Sequence, residues 1–197
     1  YSAWFIQIVC DYYMKTGDKA FFDKYAYYIN GVLEQLDGVV EDDGNIDYSR
    51  IPVDARNGFF LDWPSNGTYD AKEGNRATFI VTLRSLLDAY SQSGTTPNPL
   101  CKQVLDKLVK AKKVEVNLKQ IVALSYLSGR TDKESADKKL TKGGAKGLST
   151  FMSYFILKAI AECSGEDKAI EIMKEYYGGM LDRGATSFWE DFNVEWL

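Results

Sequence analysis

Aromatic rings and carboxylates crowd one stretch of the chain, Tyr177–Trp196, which reads Y-G-G-M-L-D-R-G-A-T-S-F-W-E-D-F-N-V-E-W. It sets Phe188, Trp189, Phe192 and Trp196 among Asp182, Glu190, Asp191 and Glu195. Packing alone does not require that mixture. Flat rings stack on the C–H faces of sugars, and carboxylates bind hydroxyls or move protons, so the combination suits a carbohydrate site. Glu190 directly follows Trp189 in a loop opened by Gly184, which makes it the candidate catalytic carboxylate; Asp182, Asp191 and Glu195 are alternatives. Trp189 either packs to hold that loop or touches the sugar. Thr186 hydrogen-bonds either the loop or a substrate hydroxyl. Gly178, Gly179 and Gly184 are expected to end the helix that precedes the loop.

A second group lies in Phe59-Phe60-Leu61-Asp62-Trp63-Pro64. Asp62 and Trp63 either bind a hydroxyl and stack on a sugar face, or form an N-capping aspartate beside a core tryptophan. Asp54 and Arg56 are candidates for the same rim. Upstream, Asp42, Asp43, Asn45 and Asp47 invite a calcium reading. Gly44 falls too early for a helix-loop-helix calcium loop and no glutamate stands at the required distance, so a plain turn is expected.

Composition narrows the chemistry. With 45% hydrophobic and 26% charged residues over 197 positions, the chain has the balance of a globular domain with a sizeable core. A net charge of −4 gives no electrostatic case for nucleic acid or an anionic membrane surface. No apolar run reaches membrane-spanning length. The sequence contains no histidine, so these residues build neither a Ser-His-Asp or Cys-His nucleophile nor a His-ligated metal site. Cys10, Cys101 and Cys163 are widely spaced in apolar helical patterns and read as core thiols. No metal and no cofactor is expected.

Helices must position these groups. Apolar residues at helical spacing predict helices over residues 2–15, 19–36, 71–91, 100–112, 117–127, 131–140, 148–163 and 167–177. Pro99 suits a first turn, and the basic run Lys107–Lys113 reads as a solvated face. From Asp37 to Asn75 no helical period is sustained; Val39, Val40, Ile46 and Tyr48 are expected to pair as a short β-hairpin around Asp43-Gly44-Asn45. Glycine turns recur at Gly17, Gly94, Gly129 and Gly165, the last two 36 positions apart, about one helical hairpin. Stacked hairpins either extend as a solenoid or close into a toroid. Two features favour the toroid. Long connectors alternate with short ones, and Leu148–Ala161 is apolar nearly all round, as an inner helix requires.

At Gly184-Ala185-Thr186-Ser187-Phe188-Trp189-Glu190 the chain resembles the α-L-rhamnosidases and related six-hairpin glycosidases, whose late-barrel motif reads G-A-T-[ST]-x-W-E. Phe60-Leu61-Asp62-Trp63 is similar to the family's G-D-W element, with Leu61 where many members carry glycine. Thr141-Lys142-Gly143-Gly144 through Ser149-Thr150-Phe151 also agrees. The resemblance implies an all-α fold of the (α/α)6-toroid type. It further implies one domain over residues 1–197, a piece of a catalytic barrel truncated at both ends with about eight helices in stacked hairpins. It implies hydrolysis of terminal α-L-rhamnose with inversion, with Glu190 as the base and Asp62, Trp63, Trp189 and Thr186 binding substrate. The general acid is expected before Tyr1 and a sugar-contacting histidine beyond Leu197, so the piece alone is expected to be inactive. The implied partners are a carbohydrate and the remaining domains of a periplasmic or secreted parent. Two other functions fit the residues: a non-catalytic helical-repeat interaction module, and a six-hairpin enzyme for uronic acids or glucosides.

Overall fold

A computed structural model describes residues 1–51, 60–65, 68 and 70–196. Asp54 and Arg56 lie outside the described residues. The described chain is all-helical: α1 (Ser2–Thr16), α2 (Lys19–Lys24), α3 (Ala26–Val39), α4 (Ala71–Ser93), α5 (Pro99–Lys110), α6 (Lys119–Leu127), α7 (Lys133–Thr141), α8 (Ser153–Ser164) and α9 (Glu166–Asp182). No helix among the described residues is long and apolar enough to cross a membrane.

Local chemistry sets most of the boundaries. α1 ends where Gly17 turns left-handed at φ 69° and its N–H bonds Tyr13 O. Asp18 then caps α2 by accepting from Phe21 N at 2.9 Å. Asn98 and Pro99 open α5, and Asp132 opens α7 by accepting from Ser135 N at 2.8 Å. The four glycine turns all have positive φ, the region in which a side chain is costly.

Several expectations need correction. The helix predicted over 19–36 is two, because Tyr25 leaves helical geometry at φ −97°, ψ 3°. Its ring packs on Phe5 and Phe21 at 5.4 and 4.9 Å, a tertiary contact that periodicity does not register. The β-hairpin reduces to one antiparallel bridge, Val40 to Ile46, since α3 runs through Val39 and leaves no strand to extend. There Asp43 accepts from Asn45 N at 2.8 Å, closing a turn. Finally, α8 begins at Ser153 rather than at 148, and α9 continues through Gly178 and Gly179 to Asp182. Gly179 stays helical with the Phe192 ring against it: a Cβ there would come within 3.0 Å of that ring.

The chain forms two compact units, 1–59 with 78–113, and 60–77 with 114–197. The first has a conventional apolar core, in which Ile6, Leu33, Leu83 and Val104 are fully buried. Gly44 lies against α5, where an added Cβ would sit 2.3 Å from Lys107 O. Lys107 is mostly covered and bonds Asp37 at 3.1 Å, so the basic run is not wholly a solvated face. Cys10 and Cys101 are buried and unpaired, and burial pushes both thiols from 9.0 up to about 12. A raised folded-state pKa favours the neutral thiol. Its stabilising effect is full below pH 9.0 and is lost as pH rises through about 12. Neither thiol is expected to react with Ellman's reagent in the native protein at pH 8, and unfolding should expose both. Prompt native reactivity would contradict this core.

The second unit packs α6, α7, α8 and α9 against one another. Its interior is unusually polar. Glu73, Arg76 and Arg130 are all buried, and the Glu73 carboxylate holds both guanidiniums; Arg130 Nη2 donates to Oε2 at 3.3 Å. Removing the carboxylate charge takes from two buried cations the anion they share. Glu73→Gln is therefore expected to cost roughly 3–5 kcal/mol of unfolding free energy in a urea titration. A loss under about 1 kcal/mol, the scale of a surface pair, would show that the cluster is not buried in solution.

Candidate functional site

The carboxylate-aromatic loop follows α9. Gly184 turns at φ 83°, and Ala185 N returns to Met180 O at 3.0 Å, closing the helix end. Residues 185–196 carry no regular structure. Phe192 is their anchor, 3% exposed, with its ring 5.4 Å from Tyr176 and 5.8 Å from Trp189. Arg183 stacks on the opposite part of this cluster, 5.5 Å from the Phe192 centroid, and donates to Trp196 O.

Glu190 is exposed at the outer side of this loop. Its Oε1 accepts from the indole Nε1–H of Trp63 at 3.2 Å, although the two residues are 127 positions apart. Oε2 takes no hydrogen bond from a described residue. Trp63 is 65% exposed, so it is not a core tryptophan, and Phe60 meets its ring at 4.9 Å. Phe188 is 76% exposed, with its ring tilted against Tyr177 at 4.9 Å. Solvent-facing rings thus accompany an accessible carboxylate that an indole N–H donor holds in place.

Asp62 lies behind this surface, 2% exposed. Its Oδ1 accepts from Ser65 Oγ at 2.7 Å and Ser65 N at 3.2 Å, capping the turn Trp63–Ser65. Its Oδ2 accepts from Ser149 Oγ at 2.7 Å. Trp189 is half-buried, and its carbonyl accepts from Thr150 Oγ1 at 2.6 Å. Thr186 and Asp182 are exposed, as is Asp191, and Glu195 pairs with Lys146 at 2.8 Å. The structure therefore brings Trp63 and Glu190 together, and places Asp62 and Trp189 immediately beneath them.

Ser149, Thr150 and Tyr176 hold these segments, and the sequence alone assigns them no role. Their signals are the resemblance, whose third stretch includes Ser149 and Thr150, and position, beside the glycine-rich turn 142–147 and on α9. The turn itself is tied down by Lys119 Nζ on Gly144 O, by Gln120 Nε2 on Gly147 O at 2.9 Å, and by Glu175 accepting from Ala145 N at 2.9 Å. Burial pulls the Lys119 ammonium down to about 8, with the nearby Glu175 charge opposing that shift. No group of acidic or cysteine side chains among the described residues is arranged to hold a metal ion.

Comparisons with known proteins, by family model, by sequence and by fold, return no match.

The three hydrogen bonds to the Asp62 carboxylate make it a structural anchor whatever else it does. Asp62→Ala is expected to lower stability by about 1.5–3 kcal/mol, the range for a bond to a charged group. Tryptophan emission during denaturation measures it. A neutral substitution would place Asp62 in contact with solvent instead.

Proposed function

We propose that the chain contributes the base-bearing part of the catalytic domain of an inverting glycoside hydrolase acting on terminal α-L-rhamnose. The carrying observation is the Trp63–Glu190 bond, which joins two of the segments that resemble that family. An exposed carboxylate beside exposed rings has the parts such a reaction needs. Glu190 takes a proton from water, and the water oxygen attacks the anomeric carbon from the face opposite the leaving group. The glycosidic C–O bond breaks, and the leaving oxygen takes a proton from an acid on the other side. The products are the free sugar with its anomeric configuration inverted and the released alcohol. On this reading the acid comes from residues preceding Tyr1.

The Trp63 indole has two uses here. Its N–H steadies Glu190 through Oε1, leaving Oε2 for the water. Its open ring face is available for the apolar side of a 6-deoxy sugar.

In the full-length protein, Glu190→Gln is expected to slow hydrolysis of an aryl α-L-rhamnoside by about 10²–10⁴-fold. L-rhamnose binding, followed by tryptophan fluorescence, should persist because glutamine keeps a hydrogen-bonding group in place. Undiminished turnover would remove Glu190 from the reaction.

A further inference from the structure

Ser149 and Thr150 are consecutive, and each bonds the residue beside one member of the Trp63–Glu190 pair. Ser149 Oγ donates to Asp62 Oδ2 at 2.7 Å, next to Trp63. Thr150 Oγ1 donates to Trp189 O at 2.6 Å, next to Glu190. A single peptide unit therefore spans the two segments. We propose that the Ser149-Thr150 dipeptide is a positioning clamp that sets the spacing at which the Trp63 indole meets the Glu190 carboxylate.

Proton counting supports the assignment. A hydroxyl has one proton to give, and Thr150 gives it to Trp189 O. The 3.1 Å contact between Thr150 Oγ1 and Tyr176 Oη must then have tyrosine as donor. Tyr176 is 1% exposed, and burial raises its phenol above the ordinary value, so it keeps that proton. The same phenol lies 3.3 Å from Phe192 O. Thr150 thus holds the loop at the Trp189 carbonyl, next to Glu190, and Tyr176 braces that hydroxyl with its one proton.

The clamp has a fixed base. Ser153 Oγ donates to Thr150 O at 2.8 Å, tying the dipeptide to the start of α8. On the other side, Lys119, Gln120 and Glu175 pin the turn that leads into it. Gly144 adopts φ 57° there, and a Cβ would come 2.3 Å from Glu175 Oε2, so the turn closes on Glu175 only with glycine. The catalytic weight of the clamp rests on the reading of Glu190 as the base; its geometry does not.

The test uses the indole N–H resonance of Trp63 in ¹⁵N-tryptophan-labelled protein, assigned by its loss in Trp63→Phe. Glu190→Gln should shift that resonance, establishing that it reports the bond. Thr150→Val keeps the side-chain volume and removes the hydroxyl. It is expected to shift the same resonance and to speed its exchange with solvent roughly fivefold, the factor for one ordinary hydrogen bond. Thr150→Ser, which retains the hydroxyl, should restore both. A merely packing role predicts the reverse, with valine neutral and serine damaging, and that result would overturn the clamp. If the valine variant does not fold, Ser149→Ala makes the measurement from the other arm, and an unchanged Trp63 signal there would overturn it equally. Activity separates the two ideas: a fully active Glu190→Gln defeats the catalytic reading while leaving the resonance result intact.

Discussion

Polar groups taken out of water must find partners, and the second unit is built under that constraint. Its interior holds a carboxylate between two guanidiniums, a second carboxylate among serine hydroxyls, and an ammonium resting on a backbone carbonyl. An unpaired charge in such a setting costs several kcal/mol, so each group fixes the position of whatever satisfies it. This explains how a stretch poor in regular structure, residues 142–152, keeps a defined path. Its carbonyls face Lys119 and Gln120, one of its amides faces Glu175, and its two hydroxyl-bearing residues face Asp62 and Trp189.

The first unit solves the folding problem differently. Its interior is hydrocarbon, aromatic ring and thiol, with Phe22, Tyr13 and Tyr90 meeting edge to face or tilted. Apolar packing of this sort is non-directional and tolerates small adjustments. A hydrogen-bonded interior is directional and tolerates few. The chemistry-bearing residues belong to the unit with the directional interior.

That difference carries through to the surface pair. Glu190 stands in a loop without helix or strand to brace it, and Trp63 lies on a three-residue turn. Neither element is rigid by itself. Both sit on polar anchors, the buried Asp62 beneath one and the half-buried Trp189 carbonyl beneath the other. The exposed bond between them inherits its geometry from those less exposed ones, which are stronger because water competes less for them.

Much of this protein was readable from its residues, and the division follows the range of the forces involved. Helix existence, the aspartate and asparagine caps, the glycine turns and the buried cysteines are decided within about four positions, and the sequence alone determined them. It also marked Glu190, Trp189, Asp62 and Trp63 as unusual by type and crowding. It misjudged the break at Tyr25 and the persistence of α9 through its glycines, because contacts with the Phe5 and Phe192 rings outweighed local preference, and it started α8 too early. Only the tertiary structure decided that Asp62 is buried while Trp63 is open, that Ser149 reaches it across 87 positions, and that Trp63 meets Glu190 across 127. Nothing in the neighbouring residues encodes such pairings; they arise when the chain buries its polar groups and each must be answered from elsewhere.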